Sequence, residues 1–151
     1  MNNVRVASGE RALPAADGGR GEARRREVEL AGRPLVYASE SLALCLAECL
    51  VHVTGSLPKD YAAFKIEIRD DDIEELRLKK LKAEWEHDLV RTRTIGDEWL
   101  IKERSLALIV PSAVLPDSRN ILINPQHPGA ARLRVVSQQP FTFDSRLRPV
   151  R

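Results

Sequence analysis

Glu48 is the residue whose type and setting point most directly to chemistry. It is the only charged residue in the apolar run between Ser41 and Val51. Burying an unpaired carboxylate costs roughly several kcal/mol, so this group must be paired, line a cleft or be protonated. One interpretation is a structural pair with an arginine or with His52, which lies four residues on and on the same helix face. The other is a cleft carboxylate of the kind that marks active sites.

Ser112 is a second candidate, in the sequence VPSAVLP directly after an apolar run that predicts a buried strand. Strand ends and the loops after them often carry functional side chains, and the nearby prolines restrict this loop. The alternative is a hydroxyl that only bonds its own turn. No Gly-x-Ser-x-Gly pattern surrounds Ser112, which argues against an esterase-type nucleophile.

Other polar and thiol residues give weaker indications. Tyr37 ends a predicted strand and is either a core aromatic or a site residue, while Asn120 and Asn124 could be turn-forming amides. Cys45 and Cys49 lie four residues apart without the second ligand pair that a zinc site needs, so we predict reduced, buried thiols. No glycine-rich phosphate-binding loop is present, and we expect no metal.

The elements that must position these residues predict an α+β fold. Ser39 suits a helix N-cap, and the residues from Leu42 to Val53 are apolar on nearly every face, which predicts a helix buried all round. A second helix is expected after Gly96, and Ile73–Leu76 is expected to form a helical turn or loop. Because strands outnumber helices and do not alternate with them, we predict a mostly antiparallel sheet with flanking helices. The strands are expected at Leu35–Tyr37, 62–69, Leu106–Val110, Asn120–Ile123, Leu133–Val136 and Phe141–Phe143.

Composition and charge restrict the class of protein. The 151 residues are 43% hydrophobic and 30% charged, with a net charge of +2. These values are typical of a soluble single domain and argue against a polybasic nucleic-acid-binding arm. No apolar run approaches the ~18 residues of a membrane span, and the first residues lack the apolar stretch of a secretion signal. We therefore expect a cytoplasmic protein.

The first 33 residues differ in composition from the rest. They contain seven Arg and five of the eight Gly, but no Lys, Ile, Phe, Tyr, Trp, Thr or His. No helical or strand period runs through residues 15–32, AADGGRGEARRREVELAG, and such a segment buries too little apolar surface to offset the entropy of ordering it. We therefore predict that residues 1–33 are disordered and that the folded domain covers residues 34–151.

The segment from about Gly32 to Leu147 resembles the RES domain, the toxin of a bacterial toxin–antitoxin system. The resemblance is carried, in matching order and spacing, by GRPLVYASESLALCLAECLVH, LPKDYAAFKIEI, IGDEWLIKERSLALIVPSAVLPDSRNILINPQHP and FTFDSRL. It covers about three-quarters of the chain.

The resemblance implies a fold related to ADP-ribosyltransferases and cleavage of NAD at the nicotinamide–ribose bond, by hydrolysis, phosphorolysis or ADP-ribosyl transfer. It implies a helix-turn-helix antitoxin of the Xre class as partner, and a homodimer. Glu48 matches the glutamate of the family and Ser112 its serine, so both are expected to be catalytic. Tyr37 matches the family's tyrosine, and we expect Tyr37, Ser112 and Asn120 to bind NAD.

The chain departs from the family ten residues before Tyr37. The family has Arg-Trp-Asn there, whereas this chain has Glu27, Val28 and Glu29. If Glu27–Ala31 is back-translated with chosen GC-rich codons, that DNA read one base later can encode Arg-Trp-Asn-Ser. We therefore interpret residues 1–33 as disordered or as translated out of frame, which sequencing the locus tests.

Two functions remain open at this point. One is an NAD-cleaving toxin; the other is a degenerate, inactive copy that only binds an antitoxin or dimerises. The missing arginine motif favours the second, and the residues after Gly32 favour the first. Beside these two functions, a third hypothesis is a structural α+β domain of unrelated function. Turnover of NAD distinguishes the first from the others.

Overall fold

A computed structural model describes residues 2–9, 33–53, 55–57, 59, 61–77, 81 and 83–147, with the backbone alone for residues 2–9. The expected α+β class is confirmed, because two helices accompany seven strands within this described part. Short 3-10 turns occur at Asp70–Asp72, Trp85–His87 and Pro128–Arg132. The strands and helices are β1 (Asn2–Gly9), β2 (Val36–Ser39), α1 (Leu42–His52), β3 (Tyr61–Arg69), β4 (Ile73–Glu75), α2 (Leu89–Lys102), β5 (Ala107–Pro111), β6 (Arg119–Ile123) and β7 (Arg134–Phe141).

The strands form one sheet in the order β4-β5-β6-β2-β1-β3-β7. Among the pairs that the structure describes, β4 runs parallel to β5 and every other pair is antiparallel. The predicted mostly antiparallel sheet is therefore confirmed. Strands β2 and β6, which carry Tyr37 and Asn120, lie near the middle of this sheet, where neighbours on both sides hold their backbones.

Successive strand residues point to opposite sides of the sheet, and each side carries a cluster of buried residues. One face carries Ala107, Ile109, Ile121 and Ile123, which cluster with Ile68 of β3. On the other face, Leu108 and Leu122 pack against Trp99 and Leu100 of α2 and against Leu35. The indole of Trp99 is fully buried and donates to the Oγ of Ser105 over 2.8 Å. This second face also carries the polar residues of the candidate site.

Strand β1 lies inside the segment that the sequence predicted to be disordered. Its eight residues, Asn2–Gly9, pair in register with 62–69 of β3, and Val6 pairs with Ser39 of β2. For Asn2–Gly9 the prediction of disorder is wrong, because neighbouring strands provide the hydrogen-bonding partners that this polar stretch cannot provide for itself. Residues 10–32, including the Glu27–Ala31 stretch, lie outside the described residues.

The start and the burial of α1 differ from the prediction. Ser41, not Ser39, is the N-cap, and its side chain accepts a hydrogen bond from the backbone N–H of Leu44 over 3.1 Å. Ser39 is the last residue of β2. The helix is not buried all round, since Val51 is 61% exposed. One helix face is enough to cover the neighbouring strands, so apolar character on every face does not require burial on every face.

Three further boundaries differ. Ile73–Glu75 is strand β4 rather than a helical turn, because it pairs with the buried strand β5. Helix α2 begins at Leu89, where the Asp88 side chain caps the backbone N–H of Arg91 over 3.0 Å. In place of the two short strands expected at 133–136 and 141–143, one strand, β7, runs from Arg134 to Phe141, and a β-bulge interrupts its pairing with β3. In each case pairing or capping extended an element beyond its local pattern.

Candidate active site

The pairing register brings the predicted site residues to one face of the sheet. Tyr37 and Ser39 of β2 lie opposite Leu122 and Asn120 of β6. Val110 of β5 also pairs with Asn120, and Ser112, two residues further on, continues the same side of the chain. Helix α1 supplies Glu48 from above this face. Residues 37, 48, 112 and 120, far apart in sequence, therefore meet in one cluster.

Glu48 receives two hydrogen bonds on the same oxygen. The Ser112 hydroxyl donates to its Oε1 over 2.7 Å, and the Asn120 amide donates to the same atom over 2.5 Å. Among the described residues, a hydroxyl and an amide hold the carboxylate, and no hydrogen bond or ion pair joins it to His52 or to an arginine. In the part of the chain that the structure describes, no group donates to Oε2 of Glu48. Within this described part, one oxygen is fixed by two donors and the other accepts no hydrogen bond.

The hydrogen-bonding groups of Ser112 are fully used. Its one proton goes to Glu48, and its oxygen accepts from the backbone N–H groups of Val114 and Leu115 over 3.1 and 3.0 Å. A serine hydroxyl has one donor and two lone pairs, so none is left over. The side chain is also fully buried. The Ser112 hydroxyl therefore bonds its own turn, as one interpretation predicted, and also bonds the candidate catalytic residue Glu48.

Both amide hydrogens of Asn120 are likewise used. One points to Oε1 of Glu48 and the other to the Tyr37 hydroxyl oxygen over 3.0 Å. Its Oδ1 accepts from the Ser39 hydroxyl over 2.7 Å. The residue is 0% exposed, so it lies beneath the surface of the cluster. Asn124, the other amide considered, caps a turn by accepting from the backbone N–H of Gln126 over 3.0 Å.

Tyr37 connects this cluster to a cavity. The pKa of its phenol is raised to about 12, mainly by burial and also by the negative charge of Glu48, while the Asn120 hydrogen bond lowers it. Tyr37 is therefore a neutral phenol at physiological pH. The cavity beside it has a volume of about 200 Å³ and a mostly apolar wall. Its lining includes Tyr37, Val110, Pro111, Ala113, Trp85 and Arg93.

Ser39 belongs to the cluster but was not predicted as a site residue. It is 1% exposed and bonds directly to Asn120. Its place after a short apolar strand gave only the signature of a helix cap, since the cross-strand register that sets it opposite Asn120 is not visible in the sequence. Cys45 is buried as predicted, whereas Cys49 is only partly buried, and neither forms a disulfide. Among the described residues, no three His, Cys, Asp or Glu side chains are grouped as metal ligands.

Comparisons with known proteins identify the family of this chain. Residues 4–144 match the family described as RES domain. The chain is 36% identical over 121 residues to "Toxin Res" of Yersinia enterocolitica, an alignment covering 78% of this chain and 80% of that protein. It is 30% identical over 122 residues to "Prs ADP-ribosylating toxin" of a Sphingobium strain, covering 77% and 76%.

A solved structure shows the same fold at low identity. A chain of the M. tuberculosis MbcT–MbcA toxin–antitoxin complex superposes with a TM-score of 0.63 and 14% identity, covering 94% of this chain and 85% of that one. The fold is thus that of an α+β protein found in a toxin–antitoxin complex. The family match decides the class: this chain belongs to the RES domain family. The family match begins within β1, well before the domain boundary expected at residue 34. The expected relation to the ADP-ribosyltransferase fold agrees with the name of the ADP-ribosylating relative.

Among the described residues, neither helix is long and apolar enough to cross a membrane.

Proposed function

We propose that this chain is the toxin of a toxin–antitoxin system and cleaves NAD at the nicotinamide–ribose bond. The observation that carries the proposal is the geometry of the Glu48 carboxylate: Ser112 and Asn120 both donate to its Oε1, and no group among the described residues donates to its Oε2. The apolar cavity lined by Tyr37 is the neighbouring space for a planar ring. An ADP-ribosylating toxin among the relatives supports NAD as the substrate.

The chemistry needs a negative charge that does not move. When the bond between ribose C1′ and the nicotinamide nitrogen breaks, its electron pair goes to the ring, which leaves as neutral nicotinamide. The ribose passes through an oxocarbenium-like transition state, as in glycoside cleavage. A carboxylate already oriented by two donors stabilises that positive charge without reorganising. An acceptor oxygen then bonds to C1′, and a water acceptor releases its proton to solvent.

Glu48 is the catalytic residue in this proposal, and Tyr37 contacts the nicotinamide end. Because Ser112 and Asn120 are fully buried and use their hydrogens on Glu48 and Tyr37, we assign them to hold these two groups. This assignment differs from the sequence-based expectation that both touch NAD. It predicts that NAD binding tolerates their loss better than turnover does.

The test is release of nicotinamide from NAD by the purified chain, with and without phosphate. Glu48→Gln is the informative variant, because its carbonyl oxygen still accepts from Ser112 and Asn120 while an amide replaces the available oxygen. We expect kcat to fall by roughly a hundred- to a thousandfold. The control is Glu98→Gln, an exposed glutamate of α2 paired with Lys102. Equal turnover by wild type and Glu48→Gln would contradict the proposal.

The second candidate is an inactive RES copy that only binds an antitoxin or dimerises. One observation favours it: Glu27, Val28 and Glu29 stand where the family has Arg-Trp-Asn. An arginine at an NAD site pairs with anionic oxygen, and its loss weakens binding. A folded chain without turnover that regains it when the neighbouring reading frame is restored would favour this candidate.

We further propose a cytoplasmic location, a homodimer and a helix-turn-helix antitoxin of the Xre class as partner. The relatives named as toxins and the toxin–antitoxin complex with the same fold support an antitoxin partner. Co-expression with the neighbouring gene product tests it, since an antitoxin should copurify with this chain and suppress nicotinamide release.

A further inference from the structure

We propose that Ser39 is a positioning residue of the active site, acting on Glu48 and Tyr37 through Asn120. Its hydroxyl donates to Oδ1 of Asn120 over 2.7 Å, and both groups are buried. This inference rests on the proposed function for its effect on turnover, but not for its effect on Asn120 itself.

The direction of each hydrogen bond follows from the chemistry of the partners. An ionised carboxylate only accepts, so the Asn120 atom that faces Glu48 must be Nδ2, the donor. Oδ1 then faces the other way, toward Ser39, and needs a donor. The Ser39 hydroxyl is the group that supplies it. The chain Ser39, Asn120 and Glu48 is therefore polarised in one direction, from hydroxyl to carboxylate.

The backbone makes Ser39 a rigid anchor. Strand β2 is paired on both sides at this residue, with Val6 of β1 and with Asn120 of β6. The Ser39 side chain therefore meets Asn120 directly across the strand pair. A serine at the end of a free strand would lack this double fixation. The polar atoms of Asn120 are thus held at three points, by Ser39, Glu48 and Tyr37.

Loss of the Ser39 hydroxyl should lower kcat and leave KM nearly unchanged. Ser39→Ala leaves Oδ1 of Asn120 buried without its donor, and the amide is then free to tilt. Both the Glu48 oxygen and the Tyr37 hydroxyl would lose a fixed donor position. Misplacement of a catalytic group by about 1 Å can cost on the order of a hundredfold in rate. We expect kcat to fall about ten- to a hundredfold, while KM changes less than about threefold, since Ser39 does not line the cavity.

A matched control separates this role from a general effect on the fold. Ser105 is also a buried serine, and it bonds to the Trp99 indole and to the carbonyl of Ala107, away from the cluster. Ser105→Ala should lower the melting temperature but leave kcat unchanged. The proposal is contradicted if the two variants lower kcat equally, or if Ser39→Ala keeps the wild-type kcat.

A second measurement does not depend on NAD turnover. The chain has four asparagines, at positions 2, 3, 120 and 124, so selective 15N labelling gives few side-chain amide signals. The triple variant Asn2→Ser, Asn3→Ser, Asn124→Ser identifies the Asn120 pair, because it retains this side-chain amide alone of the four. In wild type we expect the Asn120 amide hydrogens to exchange slowly with D2O, because the residue is fully buried and both hydrogens are bonded.

Ser39→Ala should speed this exchange at least tenfold, and Ser105→Ala should leave it unchanged. Unchanged exchange in Ser39→Ala would overturn the positioning role. If wild type releases no nicotinamide but Ser39→Ala still speeds the exchange, the proposed function fails while the hold of Ser39 on Asn120 stands. The two failures are therefore distinguishable.

Discussion

Ser112 donates its hydroxyl proton to Oε1 of Glu48 over 2.7 Å, although 64 positions separate the two residues in the chain. The same hydroxyl oxygen accepts hydrogen bonds from the backbone N–H groups of Val114 and Leu115, which form the turn after β5. The turn therefore fixes the oxygen of Ser112, and Ser112 fixes the carboxylate. The Oγ atom of Ser112 therefore holds both the turn after β5 and the orientation of the Glu48 carboxylate.

Ser112→Ala should reduce both stability and turnover. Two backbone N–H groups lose their acceptor, and leaving buried donors without partners costs about 1–3 kcal/mol in unfolding free energy. The Glu48 carboxylate also loses one of its two donors, so nicotinamide release should fall by roughly ten- to a hundredfold. Urea unfolding and kinetic assays on the same samples measure the two effects. Ser137→Ala, on the partly buried middle of β7, is the control and should change neither.

Tyr37 should make the protein less stable at high pH. Its pKa is raised to about 12 in the folded chain, mainly by burial. An unfolded chain releases the tyrosine proton near its ordinary pKa of about 10. Between about pH 10 and 12 the unfolded state is thus deprotonated while the native state is not, so stability is constant below this window and falls through it.

Absorbance at the phenolate band measures this titration directly. In wild type a phenol should titrate near pH 12, and in Tyr37→Phe that component should be missing. Tyr61→Phe, on β3, should retain it. A wild-type titration complete by pH 10.5 would refute the raised pKa of Tyr37.

Asp72 and Arg132 join the turn between β3 and β4 to the turn before β7. The Arg132 guanidinium donates to both carboxylate oxygens, through Nε over 3.0 Å and through a second, shorter bond. These hydrogen bonds hold the pKa of Asp72 below its usual value. The stabilisation is therefore present above the ordinary aspartate pKa of about 3.9 and is lost as pH falls through the lower native value.

Asp72→Asn should accordingly destabilise the protein at pH 7, and its difference from wild type should shrink below about pH 4. Urea midpoints across pH 3 to 7 measure this. Asp144→Asn is the comparison, because Asp144 also pairs with an arginine, Arg146, but the pair is exposed and only two residues apart. It should cost less at every pH. An Asp72→Asn difference as large at pH 3 as at pH 7 would show that packing, not charge, accounts for the loss.

Predictions from the sequence succeeded where the local residue pattern determines the structure. They failed where pairing between distant strands determines it. Glu48 stood out because a charge in an apolar helix needs a partner, and its partners are the serine and asparagine already singled out. Ser39 was misread as a cap, because the β2–β6 register that sets it against Asn120 is a long-range property. Likewise the composition of residues 1–33 predicted disorder for Asn2–Gly9, whereas long-range pairing with β2 and β3 makes it a strand.

The cavity beside Tyr37 should control substrate binding rather than the chemical step. Ala113 lines this cavity and is exposed, so Ala113→Leu can place a larger side chain there without entering the core. The larger side chain would leave less space for the nicotinamide ring in the cavity. We therefore expect KM for NAD to rise about tenfold while kcat stays within about twofold of wild type. Ala131→Leu, an equally exposed alanine of the turn before β7, is the control and should leave both constants unchanged. A fall in kcat with constant KM would instead mean that the substrate does not use the cavity and that the larger side chain disturbs the neighbouring Ser112.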